Sequence, residues 1–297
     1  MNYVINRESH VLQKKKFSIA IPASVVSDTP HLREKTAKVG LIGRAAAIFR
    51  IDEIIIYMDN PNVKQTADMN LVATLLAYME TPQYLRKRLF KLTPQLKYAG
   101  VLPPLRTSHH PLKRRIKDLK VGEYREGVTV SSDKYGTRVD IGVEKTALIP
   151  NRQIVKNKRL TVKITRIDGQ VEAAIASREE IPHYWGYNVA AERKMLGRLL
   201  KEKAFELTIA TSKYGVPFSD VAENIGRRLE KAENTLLIFG APTQGLYEIA
   251  RLEGLALDDM VDFVVNMIPM QGTETVRTEE AIMATLAIFN IAFASKV

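Results

Sequence analysis

An α/β fold with a mainly parallel sheet, interrupted by a small β-barrel, is what this sequence predicts. Three observations carry the prediction. Strand-like and helix-like segments alternate towards both ends of the chain, the rhythm of a parallel sheet with helical cover. Between them, five short strand-like runs follow one another within about 50 residues, as in a small closed or half-closed barrel. Among these, Asp168-Gly169 between two alternating runs is the strongest hairpin signal in the chain. An OB-like barrel is the first choice for the middle part, and an unrelated β-insertion the alternative.

The elements follow in order. Residues 17–26 are apolar and β-branched, and end at Ser27-Asp28-Thr29-Pro30, a helix start. Over 31–49, Leu32, Val39, Ile42, Ala46 and Phe49 keep helical spacing, with Arg33, Lys35 and Lys38 on other faces. Residues 51–58 are an Ile-rich strand closed by Asp59-Asn60-Pro61, and 68–79 a further helix. Four prolines (Pro94, Pro103, Pro104 and Pro111) keep residues 92–111 from forming a long regular element. The five short strands are expected at 127–131, 137–143, 146–149, 159–167 and 171–176. After Trp185-Gly186-Tyr187, which we read as interdomain packing, strands are expected at 206–211, 235–239 and 262–267. Helices are expected at 191–203, 218–231, 246–253 and 277–294. The domain reading is therefore 1–91 and 181–297 as two halves of one α/β domain, with 92–180 inserted as a basic barrel.

Charge is concentrated in the middle. Residues 81–180 carry 22 Lys and Arg against 10 Asp and Glu, whereas the rest of the chain carries 22 against 23. Such a local excess marks either a polyanion surface or a solvated face, and the first reading is preferred. No cysteine is present, which excludes disulfides, a thiol nucleophile and Cys-type zinc sites. The apolar run 281–295 is too short to span a bilayer and reads as a buried or interface helix. The start of the chain, with Arg7, Glu8 and Lys14-Lys15-Lys16, lacks a signal-peptide apolar region, so the cytoplasm is the expected compartment and no membrane partner is expected.

The familiar catalytic signatures are absent: there is no G-x-x-x-x-G-K-[ST], no H-E-x-x-H and no G-x-S-x-G. No metal site is expected. His109-His110, in a Pro- and Lys-rich loop, reads as solvent-facing. The clearest ligand signal is near the C-terminus, where Phe239-Gly240-Ala241-Pro242-Thr243-Gln244-Gly245-Leu246 follows an apolar strand. Asn266-Met267-Ile268-Pro269-Met270-Gln271-Gly272-Thr273 follows another, and Arg277-Thr278-Glu279-Glu280-Ala281 opens an apolar helix. Loops of this kind at strand ends present backbone groups to a small polar ligand.

Three of these stretches carry a resemblance. Gly40-Leu41-Ile42-Gly43-Arg44-Ala45-Ala46-Ala47-Ile48-Phe49 resembles the first motif of the SPOUT superfamily of RNA methyltransferases, G-x-x-x-R-x-x-x-x-F. Residues 239–246 look like its F-G-x-x-x-x-G-L loop. Ile268-Pro269-Met270 with Thr275-Val276-Arg277-Thr278-Glu279-Glu280-Ala281 looks like its last motif. Lys38 stands where the family often has Asn, and Arg50 where Gly commonly follows the Phe. The basic insertion resembles one archaeal and eukaryotic branch of that superfamily.

The resemblance implies a trefoil-knot domain that binds S-adenosyl-L-methionine. It places Thr211, Gly240, Gly245, Asn266, Ile268, Pro269, Gln271, Gly272 and Thr275 around the cofactor, with ordinary turn chemistry and helix capping as the alternative roles of the glycines and Thr275. It makes Arg44 the catalytic candidate, beside the acceptor and reaching the partner subunit's cofactor, or else a surface arginine. A guanidinium there is a better oxyanion clamp than a base. It also implies a homodimer through the knot helices. On the barrel, Lys113, Arg114, Arg115, Lys156, Lys158, Arg159, Lys163 and Arg166 are the candidates for tracking a phosphate backbone. Tyr124 and Tyr135 either stack on bases or plug the barrel. Glu279 and Glu280 are read as serving the helix dipole. The expected activity is methyl transfer to rRNA, with tRNA second and a lean towards a pyrimidine base. A non-catalytic RNA-binding or ribosome-assembly protein of the same fold is the alternative.

Overall fold

The computed structural model describes residues 15–293. Arg7, Glu8 and Lys14 at the basic start, and the last two residues of the apolar run 281–295, lie outside that range. The first half of the sheet is built from β1 (Lys16–Pro22), α1 (Leu32–Ile48), β2 (Glu53–Met58), α2 (Thr66–Glu80) and the short α3 (Gln83–Leu89). Then come β3 (Tyr124–Asp133), β4 (Gly136–Asp140), β5 (Ala147–Pro150), β6 (Arg159–Asp168) and β7 (Gln170–Ile175). The chain continues through β8 (Asn188–Met195), α4 (Leu196–Glu202), β9 (Leu207–Pro217), α5 (Phe218–Lys231) and β10 (Asn234–Ile238). It closes with α6 (Leu246–Leu252), β11 (Phe263–Asn266) and α7 (Thr278–Phe293).

Six strands form one parallel sheet in the order β11-β9-β10-β1-β2-β8. Their side chains alternate between two apolar layers, as the two-residue period of a strand requires. Ile19, Ile21, Ile54, Ile56 and Ile209 pack under α1, α2, α5 and α7. Ala20, Ile55, Tyr57, Leu236 and Ile238 pack under α4 and α6. Both faces are covered, which is why these strands read as near-continuous apolar runs. Helix α7 buries Ile282, Leu286, Phe289 and Phe293 in the first layer, where Phe289 and Phe293 meet Phe218 of α5. Each such side chain contributes about 1.5–3 kcal/mol by leaving water.

The other five strands close a barrel in the order β3-β4-β5-β7-β6 around a core that includes Val139, Ile149, Val162, Ile164 and Ala173. The expected hairpin at Asp168-Gly169 joins β6 to β7, with Asp168 opposite Gln170 and Gly169 at φ 64°. At the β3–β4 turn Gly136 adopts φ 146°, and a Cβ there would lie 2.1 Å from the Ile149 carbonyl oxygen.

Two expectations about elements change. The helix expected at 191–203 begins only at Leu196. Residues Asn188–Met195 are instead the edge strand β8, parallel to β2, with Ile54 opposite Val189 and Ile56 opposite Ala191. Glu192, Arg193 and Lys194 favour helix locally, but pairing with β2 overrides propensity, and charged side chains suit an edge. Helix α3 was not anticipated from the sequence. No described helix is long and apolar enough to cross a membrane.

Candidate functional site

At the C-terminal ends of β9, β10 and β11, where ligands collect in parallel α/β sheets, lies a cavity of about 660 Å³. The loop after β10 turns tightly, Ala241 N–H donating to the Gln244 carbonyl at 2.9 Å. A Cβ on Gly240 would sit 3.2 Å from that same carbonyl oxygen, a tight approach that a side chain could make only if the turn shifted by a few tenths of an ångström. Gly245 then caps α6, its N–H bonded to the Glu248 carboxylate at 3.2 Å. Asn266 links two walls: its Nδ2 donates to the Lys213 carbonyl and its Oδ1 accepts from Ile268 N–H, both at 3.0 Å. Helix α7 closes the third side, and Thr278 Oγ1 donates to the Gly240 carbonyl at 3.0 Å.

Of the residues expected around a cofactor, Thr211, Gly240, Gly245, Asn266, Ile268, Gln271 and Thr275 line this cavity. Pro269 and Gly272 do not; both are exposed on the same loop. The glycines do not use left-handed backbone, since none of Gly240, Gly245 and Gly272 has positive φ. Instead, a Cβ on Gly245 or Gly272 would meet no atom within 4 Å, which leaves their backbone open to approach. Gln271 Nε2 is spent on the carbonyls of Thr273 and Glu274.

The sequence reading missed the wall supplied by α7. Thr278, Ala281 and Thr285 face the cavity from one side of the helix, at the i, i+3, i+7 spacing that puts small residues on one stripe. Thr285 is 1% exposed and its Oγ1 has no hydrogen-bond partner among the described residues. Two threonines and an alanine on one stripe of an otherwise apolar helix were the available signal.

Arg44 is not among the residues lining the cavity. Its guanidinium donates to the backbone carbonyls of Pro104 and Leu105, which anchors α1 to the proline-rich segment. The glycines of the first motif serve packing: a Cβ on Gly40 would lie 2.8 Å from Pro103, and one on Gly43 2.8 Å from the Tyr187 hydroxyl. Lys38 is buried between Asp28 (2.7 Å) and Glu279 (3.3 Å), tying α1 to the start of α7. Burial alone would raise the Asp28 pKa, but the Lys38 ammonium outweighs it and lowers it. Glu280, at the start of α7, accepts from Arg277 N–H at 3.0 Å.

On the barrel, Lys113, Arg114, Arg115, Lys156, Lys158, Lys163 and Arg166 are exposed. Arg166 shares its charge with Asp168 and Glu172. Lys163 lies over the Tyr124 ring, whose hydroxyl bonds the Glu180 carbonyl, whereas Tyr135 is 61% exposed. Arg159 corrects the expectation. It bridges Glu80 at the end of α2 and Glu126 of β3, each at 2.6 Å, and belongs to a seam between sheet and barrel.

That seam also corrects the histidines. His109 is fully buried, and both His109 and His110 donate from Nε2 to the Glu80 carbonyl that ends α2. Helix C-terminal carbonyls need such donors, a requirement invisible in a loop sequence. Burial would raise the Glu80 pKa, but hydrogen bonds from His109 and Arg159 hold it down at about 2. Burial, with the neighbouring His109, lowers His110 to about 4. Trp185 joins the seam through Nε1, which donates to Glu126 at 2.7 Å, and Tyr187 is buried beneath α2. Trp185 and Tyr187 thus pack between β3 of the barrel and α2 of the sheet layer.

The chain is 33% identical over 284 residues to an uncharacterised protein of Halobacterium salinarum, covering 91% of this chain and 96% of that one. It is 31% identical over 301 residues to the human 28S rRNA (uridine-N(3))-methyltransferase, covering 91% and 76% respectively. The Drosophila melanogaster protein of the same name is also 31% identical, over 306 residues, with 91% and 61% covered. A family model described as "Putative RNA methyltransferase" matches residues 16–289. With both faces of the sheet, the cavity and the barrel inside that match, the chain belongs to this RNA methyltransferase family.

Proposed function

We propose that this chain methylates a uridine base of ribosomal RNA, with S-adenosyl-L-methionine held in the 660 Å³ cavity at the ends of β9, β10 and β11. The observation that carries the reading is that cavity, set in a chain of an RNA methyltransferase family. Relatives named as 28S rRNA (uridine-N(3))-methyltransferases support the uridine and the ribosomal RNA; tRNA has no such support. They also weigh against a non-catalytic ribosome-assembly role.

The residues present fit the cofactor. The volume suits a ligand of that size, and the Thr285 hydroxyl is a buried polar atom with no partner among the described residues. Gly245 presents open backbone at the rim, while Thr211, Asn266 and Thr275 supply polar atoms. Bound there, the cofactor supplies a methyl group carried on a sulfonium. The three loops orient it, and the α7 stripe of Thr278, Ala281 and Thr285 excludes water from one side.

A SPOUT-type trefoil knot is the topology we assign to the described residues of 1–91 and 181–297, with 92–180 as an OB-like insertion. Its support is that the segment after β11 meets the loop after β10 at the Thr278–Gly240 bond and that α7 packs against α1. We assign a homodimer through α1 and α7, where Leu41, Ile48 and Ile291 leave apolar surface exposed. In that dimer Arg44 acts at the partner subunit's cavity rather than at its own. The exposed cations of the barrel hold the RNA, and the cytoplasm is the compartment. Calorimetry with S-adenosyl-L-methionine tests the reading: saturable binding is expected, and no heat at millimolar cofactor would refute it.

A further inference from the structure

The sheet register marks an unusual stretch beside the cavity. Val264 of β11 lies opposite Ala210 of β9, but the next residue, Val265, lies opposite Val216. Residues 211–215 of β9 are therefore looped out with no counterpart on β11. A bulge of this kind turns side chains away from the sheet and is found beside functional sites. Here it carries Thr211, Ser212, Lys213 and Tyr214 to the wall of the cavity.

The loop is held against β11 and by a bond of its own. A Cβ on Gly215 would come within 2.7 Å of the Val264 carbonyl, so the backbone is seated against β11. Asn266 Nδ2 donates to the Lys213 carbonyl at 3.0 Å, and Tyr214 N–H donates to Ser212 Oγ at 3.2 Å. On this fixed loop the Tyr214 ring is 75% exposed, with the Lys213 ammonium 5.2 Å from its centre. Lys213 Nζ also reaches the Glu274 carbonyl at 3.4 Å, across the mouth of the cavity.

We propose that Tyr214 is the stacking platform for the acceptor base, and that Lys213 beside it meets the anionic oxygens of the same nucleotide. The inference rests on the RNA-methylating reading of the cavity and adds to it the element that receives the base. The buried walls of the cavity are made by Phe239, Leu246, Met267 and Thr285, whereas Tyr214 stands at the rim with most of its surface in solvent. A ligand enclosed by the inner walls leaves that ring uncovered. What covers it arrives from outside, is flat, and carries negative charge towards Lys213. An unpaired nucleotide drawn out of an RNA strand has these properties. Stacking offsets the cost of unstacking the base elsewhere, and the fixed loop spares the ordering cost on binding.

The test uses the full chain, with and without S-adenosylhomocysteine. Pentauridylate carrying a central 5-iodouridine is irradiated with the protein, and the crosslinked peptide is identified by mass spectrometry. Uridine 5′-monophosphate binding is measured alongside by calorimetry. The expected crosslink is at Tyr214, and it disappears in Tyr214→Ala. That variant weakens uridine monophosphate binding by about tenfold, Tyr214→Phe keeps it, and both keep the wild-type affinity for S-adenosylhomocysteine. Crosslinks confined to Tyr124 or Tyr135, or equal uridine monophosphate affinity in Tyr214→Ala, would overturn the proposal. So would a loss of S-adenosylhomocysteine affinity in Tyr214→Ala, which assigns the ring to the cofactor. If the wild type binds no S-adenosylhomocysteine at all, the cofactor reading fails, and the crosslink still decides the place of the base.

Discussion

Replacing Glu80 by Gln removes the charge on which His109, Arg159 and Arg178 converge, at 3.2, 2.6 and 3.5 Å. The carboxylate is almost fully buried, and its pKa lies at about 2 against an ordinary value of 4.5. A folded-state pKa below the unfolded one means that the unfolded chain binds the proton more readily. The stabilisation is therefore full above pH about 4.5 and is lost as pH falls towards about 2. The gap is equivalent to about 3 kcal/mol near neutral pH, and about 1 kcal/mol remains near pH 3. Gln resembles the protonated acid, so Glu80→Gln is expected to lose about 3 kcal/mol near neutral pH, with the deficit shrinking as pH falls. Urea unfolding read by tryptophan fluorescence is the assay, because the only tryptophan, Trp185, donates to Glu126 in the same seam. Equal urea midpoints near neutral pH would mean that the Glu80 charge does not stabilise the seam. A deficit that stays constant from neutral pH to about 3 would refute its electrostatic origin.

Four further outcomes follow from the same geometry. Gly186→Ala, whose Cβ would lie 2.4 Å from His109 and 2.9 Å from Glu80 at φ 86°, is expected to lower the urea midpoint as Glu80→Gln does. The lowered pKa of His110 makes stability fall as pH drops from 6.5 towards about 4, where the unfolded chain binds the proton first. His110→Gln is expected to flatten that window in the same unfolding assay. Thr285→Val keeps the shape of the α7 wall and removes the unpartnered hydroxyl. A cofactor that bonds to it loses about 1 kcal/mol, roughly fivefold in calorimetric affinity. Lys156→Ala and Lys158→Ala are each expected to reduce the salt slope of RNA binding by about one, whereas Arg159→Ala lowers stability because Arg159 is paired within the seam.

Much of the fold was legible because burial on both faces leaves a strong mark. The Ile-rich run at β2 and the five short runs of the barrel announced themselves by composition and period. The edge strand β8 was not legible, since Ala191-Glu192-Arg193-Lys194 favours helix and only pairing with β2 makes it extended. The cavity loops after β10 and β11 were readable from their glycines and prolines, although the glycines provide openness rather than left-handed turns. Three things depended on neighbours distant in sequence. Arg159 reads as one more basic residue of the barrel until Glu80, 79 positions earlier, is placed beside it. His109 reads as a loop residue until the end of α2 is placed beneath it. Thr285 and Tyr214 gain meaning only once α7 and the looped-out segment of β9 face the same cavity.

Methylation of ribosomal RNA by this chain is read out by a modification map of that RNA. Mass spectrometry would compare ribosomal RNA from cells with and without this chain, alongside cells carrying Arg44→Ala. The account predicts that one methylated uridine disappears from the ribosomal RNA when the chain is absent and is depleted in the Arg44→Ala cells. A ribosomal RNA whose methylated nucleotides are all unchanged in the absence of the chain would contradict it.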